Sequence, residues 1–311
     1  MKLLTACAAA TVLALANGPR QTAARVTPPL NPAQVRALQI QVMLDRAGFS
    51  PGEIDASMGT NTRQALDAYR TSGGNTEALP QDALVDYRVT DADTAGPFTP
   101  DIPDDLVQQA QLPALGYRDV VEMLGERFHA SPSLLRRLNP QTKFAAGDAI
   151  RVPNVLVGED PTEAQQNAHA SKGGADVTIT VTRSTSTLTV KDQSGKIAFF
   201  APVTTGSEHD PLPIGTWKVT GVQRDPAFHY NPDLFWDANP ANSKAVIKPG
   251  PNNPVGVVWI DIDRPHYGLH GTPEPSMIGK TTSHGCVRLT NWDALVVASF
   301  ARPGTPVIFA E

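Results

Sequence analysis

Cysteine is almost missing from this chain: two residues in 311, Cys7 and Cys286. Cys7 lies in an N-terminal stretch that reads as removable, so Cys286 stands alone with no intrachain partner for a disulfide. An exported protein usually pairs its cysteines, and a leftover one is either reactive or an intermolecular partner. Long apolar runs are missing too. Leu3 to Leu15 is apolar but too short to span a bilayer. Lys2 before it and Ala14-Leu15-Ala16 at its end give the layout of a secretory signal, residues 1–16. Leu4-Thr5-Ala6-Cys7 has the look of a lipoprotein box. Only six residues precede Cys7, however, and most of the apolar run follows it, which favours a plain signal. Basic charge is in deficit, with 26 Lys and Arg against 31 Asp and Glu. No basic stripe or basic–aromatic run exists, which argues against a nucleic-acid partner.

Turn-forming residues are plentiful. Twenty-eight prolines and 24 glycines predict many turns, strands and linkers and few long helices. The length suits two or three domains. Residues 17–30 read as polar and disordered. Asn31-Pro32 then reads as an N-cap followed by a first helical residue. Val35, Leu38, Ile40, Val42, Leu44 and Ala47 follow at near-helical spacing. A turn-rich link, Phe49 to Asp55, leads to a second helix carrying Ala65, Leu66 and Tyr69. Residues 31–72 therefore predict a small helical module, and 73–116, rich in Thr, Asp, Gly and Pro, a linker. In 117–154, Val120, Val121, Leu124 and Phe128 share one helix face. Ser131 with Pro132 opens a further helix. Phe144 to Pro153 reads as a turn and short strand. Residues 155–174 are a second linker.

From 175 to 311 the pattern is β. Val177–Val181, Leu188–Val190 and Ile197–Phe200 alternate or run apolar, the last two joined by a turn, Lys191 to Gly195. Thr216–Val222, Val257–Ile262 and Pro306–Phe309 are further strands. One helix is expected, capped by Thr290 with Asp293 three residues on. Phe228 to Pro254 is a long insertion of the kind that forms a lid or a cleft wall.

The chemistry centres on Cys286. A cysteine attacks as thiolate, and an adjacent imidazole that accepts its proton is expected to lower the thiol pKa by several units. His270 lies on a strand, Tyr267 to His270, from which it can reach a thiol across the sheet. A third group must orient the ring, and the Gly271 carbonyl can do so. Gly285 permits close approach of substrate to the backbone. The N–H groups of Gly285 and Cys286 are candidate oxyanion donors. Two other readings compete. His266-x-x-x-His270 with His284-x-Cys286 offers four ligands for a zinc-dependent hydrolase. The chain could also be a non-catalytic wall-binding protein.

Three resemblances bear on the choice. His270-Gly271-Thr272 and Ser283-His284-Gly285-Cys286-Val287-Arg288-Leu289 resemble the signature of the YkuD-type L,D-transpeptidases, in which a His precedes S-H-G-C by about fourteen residues. Thr205-Gly206, Pro213-Ile214-Gly215-Thr216, Pro251 to Gly256 and Gly304 to Val307 support it. Residues 31–72 resemble a peptidoglycan-binding domain through Leu38, Gln39, Gly48, Phe49, Pro51, Gly52, Ile54, Asp55, Gly59, Thr62 and Ala65. Ala56 stands where that family usually has Gly. Residues 117–154 are similar to the second half of a LysM module whose first strand is missing.

The resemblances imply a multidomain protein. Small α-helical and α+β modules precede a mostly β, sandwich-like catalytic domain with one helix after the Cys loop. They imply that Cys286 attacks the amide after diaminopimelate in a tetrapeptide stem and releases D-alanine. His270 would be the base, oriented by Gly271. His284 and Gly285 would line the oxyanion side, and Ser283 would support the loop. Arg288 would pair with a substrate carboxylate and Tyr267 would line the substrate site. No metal or other cofactor is required. The implied partners are peptidoglycan stem peptides and glycan, with a wall-attached protein as a further acyl acceptor. The implied location is the periplasm or cell wall, with no transmembrane span after signal cleavage.

Overall fold

The computed structural model describes residues 29–155 and 176–311. The signal segment 1–16 with Cys7, nearly all of the stretch 17–30 and all of the linker 155–174 but Val155, which is buried in the N-terminal core, lie outside the described residues. No helix among those described is long and apolar enough to cross a membrane.

The chain begins with α1 (Pro32–Arg46), set by a reciprocal cap. Asn31 accepts from Gln34 N, and the Gln34 side chain accepts from Asn31 N. Helix α2 (Thr60–Thr71) follows the turn-rich link. Within that link Ala56 adopts φ +61, the left-handed conformation that glycine adopts without strain.

The segment expected to be a linker, 73–116, is not one. It supplies strand β1 (Leu84–Arg88) and two single-turn helices, α3 (Asp91–Thr94) and α4 (Leu106–Gln109). Helices α5 (Val120–Arg127) and α6 (Pro132–Leu138) come next, then β2 (Ala149–Pro153). Strand β1 pairs antiparallel with β2, Leu84 opposite Pro153 and Arg88 opposite Ala149. Nor are the two N-terminal modules separate beads. Leu38, Val42 and Ile54 from the first pack in one core with Leu124, Phe128, Leu135, Ile150 and Val152 from the second. Polar composition hid this arrangement, because the apolar residues of 73–116 show no regular period and pack in separate clusters, Ala83, Leu84 and Val89 in the N-terminal core and Ile102, Leu106 and Leu115 against the insertion.

Eight of the ten remaining strands form one sheet. Its members are β3 (Thr178–Thr182), β4 (Thr187–Lys191), β5 (Ile197–Pro202), β6 (Gly215–Arg224), β9 (Val258–Ile262), β10 (Gly268–His270), β11 (Val287–Arg288) and β12 (Pro306–Ala310). Their order is β11-β10-β9-β6-β12-β3-β4-β5. The sandwich-like character comes from β6. Residues 215–218 pair with β12, whereas 219–224 pair with β9, and the register shifts between Val219 and Gly221. A bulge of this kind bends the strand and increases its twist, so one ribbon curls into two half-sheets. Between them lies a core of Ile179, Val181, Val190, Phe199, Ile260, Leu269, Val287 and Phe309. Helix α7 (Asn291–Phe300), capped by Thr290, packs on it.

The N-terminal body covers the edge of this sheet. Ser50 N donates to Phe200 O at 2.8 Å and Phe200 N to Gly48 O at 2.9 Å, so backbone from the first module pairs with the outermost strand, β5. The insertion 228–254 forms a small hairpin, β7 (Phe228–Tyr230) with β8 (Ala245–Ile247). Tyr230 and Ile247 pack with Leu115, Leu106 and Ile102 of the supposed linker.

Candidate active site

Strand alternation builds the site. Strand β10 pairs in parallel with β11, Leu269 opposite Val287 and His270 opposite Arg288, and antiparallel with β9, His270 opposite Trp259. Successive side chains point to opposite faces. Leu269, Val287 and Ile260, each fully buried, therefore point into the core. Trp259, His270, Arg288 and Cys286 occupy the other face. All four line an open cleft of about 1070 Å³, together with Tyr267, Ser283 and His284. Its far wall is the insertion, with Phe228, Tyr230, Phe235 and Asp237, and Asp104 and Asp105 from the supposed linker.

His270 is buried, and its ring is fixed on two sides. Its Nδ1 lies 2.6 Å from the Gly271 carbonyl oxygen. A carbonyl only accepts, so Nδ1 carries the proton and Nε2 presents a lone pair. The ring stacks on Trp259, centroids 5.4 Å apart and planes 17° apart. Burial, with the Arg288 charge adding to it, pushes the imidazole down to about 3, and the Gly271 hydrogen bond acts the other way.

Cys286 is half-buried at the cleft floor, and its Sγ donates to His266 O at 3.6 Å. The expected depression of the thiol pKa is not present. Burial pushes the thiol up to about 11, against the opposing pull of the Gly268 backbone and the Arg288 charge. The resting pair is thus neutral thiol and neutral imidazole. Charge separation without a bound substrate is disfavoured because neither ion is well solvated there.

The loop carrying Cys286 is braced from both ends. Ser283 Oγ donates to Cys286 O at 2.6 Å, Ser283 N to Thr205 O at 2.9 Å and Arg288 N to Thr204 O at 2.9 Å. Gly285 has φ +102, and a Cβ there would lie 2.5 Å from the Tyr267 ring. Tyr267 is in turn covered by the Arg264 guanidinium, 5.6 Å from its centroid. His284 Nε2 lies 2.8 Å from Asp237 Oδ1, and its ring meets Phe235 edge-on, so this histidine ties the Cys loop to the insertion. His270 and His284 therefore turn to separate partners. The four-ligand zinc arrangement of His266, His270, His284 and Cys286 is not assembled, and among the described residues no three His, Cys, Asp or Glu are grouped to hold an ion.

Four contributors were not singled out from the sequence: Trp259, Asp237, the His266 carbonyl and Asn291. Trp259 had a signal available. It is a large aromatic on the polar side of a strand whose other side, Val258, Ile260 and Ile262, is core.

Residues 176–309 match the YkuD family, the L,D-transpeptidase catalytic domain. A Bacillus subtilis (strain 168) protein, YkuD, assigned as an L,D-transpeptidase, is 25% identical over 191 residues, which is 61% of this chain and 92% of that protein. Its Bacillus licheniformis counterpart is 47% identical over 60 residues, 19% of this chain and 36% of that protein. The crystal structure of L,D-transpeptidase 3 from Mycobacterium tuberculosis in complex with a faropenem-derived adduct aligns with 44% of this chain and 61% of that chain, at 20% identity and a TM-score of 0.37. This chain thus spans about three fifths of that solved protein. The β-rich fold and the cleft thus lie in the part of the chain, residues 176–309, that resembles a YkuD-type L,D-transpeptidase catalytic domain.

Proposed function

We propose that the protein is an exported, cysteine-dependent L,D-transpeptidase acting on peptidoglycan tetrapeptide stems. The observation that carries this reading is the shared face of β10 and β11. It presents Cys286, His270 and Arg288 to one cleft, with the Gly271 carbonyl holding the imidazole in the tautomer a base requires.

The neutral resting pair sets the order of events. His270 Nε2 takes the Sγ proton as Sγ attacks the carbonyl carbon of the diaminopimelate–D-alanine amide, so the proton moves with the attack. The N–H groups of Gly285 and Cys286 receive the oxyanion, a contribution worth on the order of 10²–10³ in rate. The C–N bond then breaks, His270 returns the proton to the departing D-alanine amine, and a thioester remains on Cys286. An acceptor amine next loses its proton to His270 as it attacks the thioester, which restores the thiol. Arg288 faces the stem carboxylate, where a guanidinium forms a two-pronged contact. Its charge also favours the thiolate as it develops. The acceptor is a stem amine, a protein lysine, a D-amino acid or, in hydrolysis, water. The N-terminal body, on the resemblance of its two parts to wall-binding modules, keeps the enzyme at the periplasmic wall.

The test is incubation of the mature protein with a diaminopimelate tetrapeptide stem. D-Alanine release is expected from the native enzyme and not from Cys286→Ala or His270→Ala. Release that survives Cys286→Ala overturns the reading.

A further inference from the structure

Gly271, whose carbonyl orients His270, is packed against a side chain that also bonds outside the catalytic domain. Asn291, fully buried at the start of α7, lies directly against Gly271. A Cβ on Gly271 would stand 2.2 Å from Asn291 Oδ1, and one on Gly256 would stand 2.0 Å from the same atom. Two glycines therefore admit one amide. Its Oδ1 accepts from Val257 N at 3.2 Å. Its Nδ2 donates to Pro251 O at 3.1 Å and to Glu126 Oε2 at 3.2 Å. Glu126 belongs to α5 of the N-terminal body. Burial pushes its carboxyl up to about 8, so the group is mostly protonated at neutral pH and no ion is trapped at the joint.

Glu126 is thus linked to His270 Nδ1 by a hydrogen bond to Asn291, close packing of Asn291 on Gly271, and the Gly271 carbonyl, while Gly271 N also donates to Val258 O at 3.2 Å. Two further contacts fix the spacing between the two bodies. Ser50 Oγ donates to Asp293 Oδ2 at 2.9 Å, and Asn61 Nδ2 to Ile278 O at 2.9 Å. The carboxyl of Glu126 is thus presented to Asn291 by a docked surface, not by a free-swinging module.

We propose that Asn291 and Glu126 are positioning residues for His270, and that the N-terminal body, by supplying Glu126, is part of the catalytic unit as well as a carrier. The inference rests on the transpeptidase reading of Cys286 and His270. If the amide of Asn291 loses its anchor on Glu126, the Gly271 peptide gains room to rotate. The carbonyl then leaves Nδ1, and the imidazole redistributes between its two tautomers. Only the Nδ1–H form has a free lone pair on Nε2 for the thiol proton. Small displacements of a catalytic base are costly in rate, on the order of 10- to 100-fold for shifts of about 1 Å.

The experiment compares Glu126→Gln with Glu126→Leu in the full chain. Glutamine keeps an oxygen to accept from Asn291 Nδ2, whereas leucine of similar size does not. Two readouts are taken: kcat and KM for D-alanine release, and the tautomer of His270 from nitrogen-15 shifts of histidine-labelled protein, assigned with His270→Ala. The Leu variant is expected to lose roughly 10- to 100-fold in kcat, with KM within about twofold, and to show a mixed tautomer. The Gln variant is expected to keep both within about twofold of native. Asn291→Asp, which keeps the acceptor and loses the donor, is expected to follow the Leu variant and stands in for it should Leu fail to fold. A Leu variant with native kcat and a pure Nδ1–H tautomer overturns the proposal. So does equal loss in the Gln and Leu variants. If native protein releases no D-alanine, the transpeptidase reading fails, and the tautomer readout alone still decides the positioning claim.

Discussion

Trp259 and His270 face each other across adjacent strands, ring on ring, at 5.4 Å. The stack and the Gly271 hydrogen bond together restrict the imidazole. The stack also explains Gly268, where a Cβ would stand 2.6 Å from the Trp259 ring. Aromatic contacts of this kind are worth about 0.5–1.5 kcal/mol beyond burial. Trp259→Ala is therefore expected to lower kcat/KM for D-alanine release roughly tenfold, and Trp259→Phe less than about threefold. Steady-state kinetics decide it, and an alanine variant as active as native protein removes the ring's role.

Gly285 sits at a left-handed φ with an aromatic ring where a Cβ would go. Gly285→Ala must strain the backbone by about 1–2 kcal/mol and also displace Tyr267. The loop that presents Cys286 and its N–H then moves. At least a hundredfold loss of D-alanine release is expected, on the order of losing an oxyanion donor. Glycine is the residue here because the backbone demands it, so a fully active alanine variant contradicts the loop geometry.

A thiol at about 11 is a poor spontaneous nucleophile. At pH 7 only about one molecule in 10⁴ carries a thiolate. Alkylation of Cys286 by iodoacetamide is expected to accelerate about tenfold per pH unit from 7 to 10 and to level off near 11. Arg288→Gln removes a charge that lowers the thiol pKa, so the levelling moves to higher pH. A native profile that levels off at or below about 8.5, the value of a free cysteine, contradicts the neutral resting thiol.

The joint between the two bodies holds carboxyls with raised pKa values. Asp293 and Glu53 are pushed up to about 7 and Glu126 to about 8, in each case chiefly by burial. Each is more readily protonated folded than unfolded. Their contribution to stability is complete below about pH 4 and is lost as pH rises through 7 to 8. His270 works in the opposite direction. Its lowered value favours the neutral form, and that contribution is lost as pH falls from about 6.5 toward 3. The three carboxyls outnumber it, so the melting temperature is expected to fall between pH 5 and pH 8. Asp293→Asn is expected to make the fall shallower. Differential scanning fluorimetry across this range reads both, and a melting temperature that rises from pH 5 to pH 8 contradicts the assignment.

Local signals were legible in the sequence. Asn31 with Gln34, Ser131 with Pro132 and Thr290 with Asp293 each mark a helix start that the structure has, because caps are built from neighbours in the chain. The long strands of the C-terminal domain were readable for the same reason. Pairings between distant segments were not. Strand β1, Leu-Val-Asp-Tyr-Arg, shows no apolar alternation, and its partner β2 lies some sixty residues further along. The Gly271 carbonyl could be named as the orienter because it adjoins His270. Trp259, Asp237 and Asn291 reach the site only through sheet register or loop packing, which leave no local trace. The sign of the thiol shift was also out of reach. The residue types argue for an ion pair, and only the degree of burial reverses that.

The central claim is that Cys286 Sγ takes the acyl group of a tetrapeptide stem. It is tested most directly by intact-protein mass spectrometry after mixing the native enzyme with the stem and no acceptor amine, followed by peptide mapping. A single adduct with the mass of the stem less D-alanine, located on Cys286 and missing from Cys286→Ala, is the expected result. D-Alanine released with no adduct on Cys286 at any time point, or an adduct that persists in Cys286→Ala, contradicts the account.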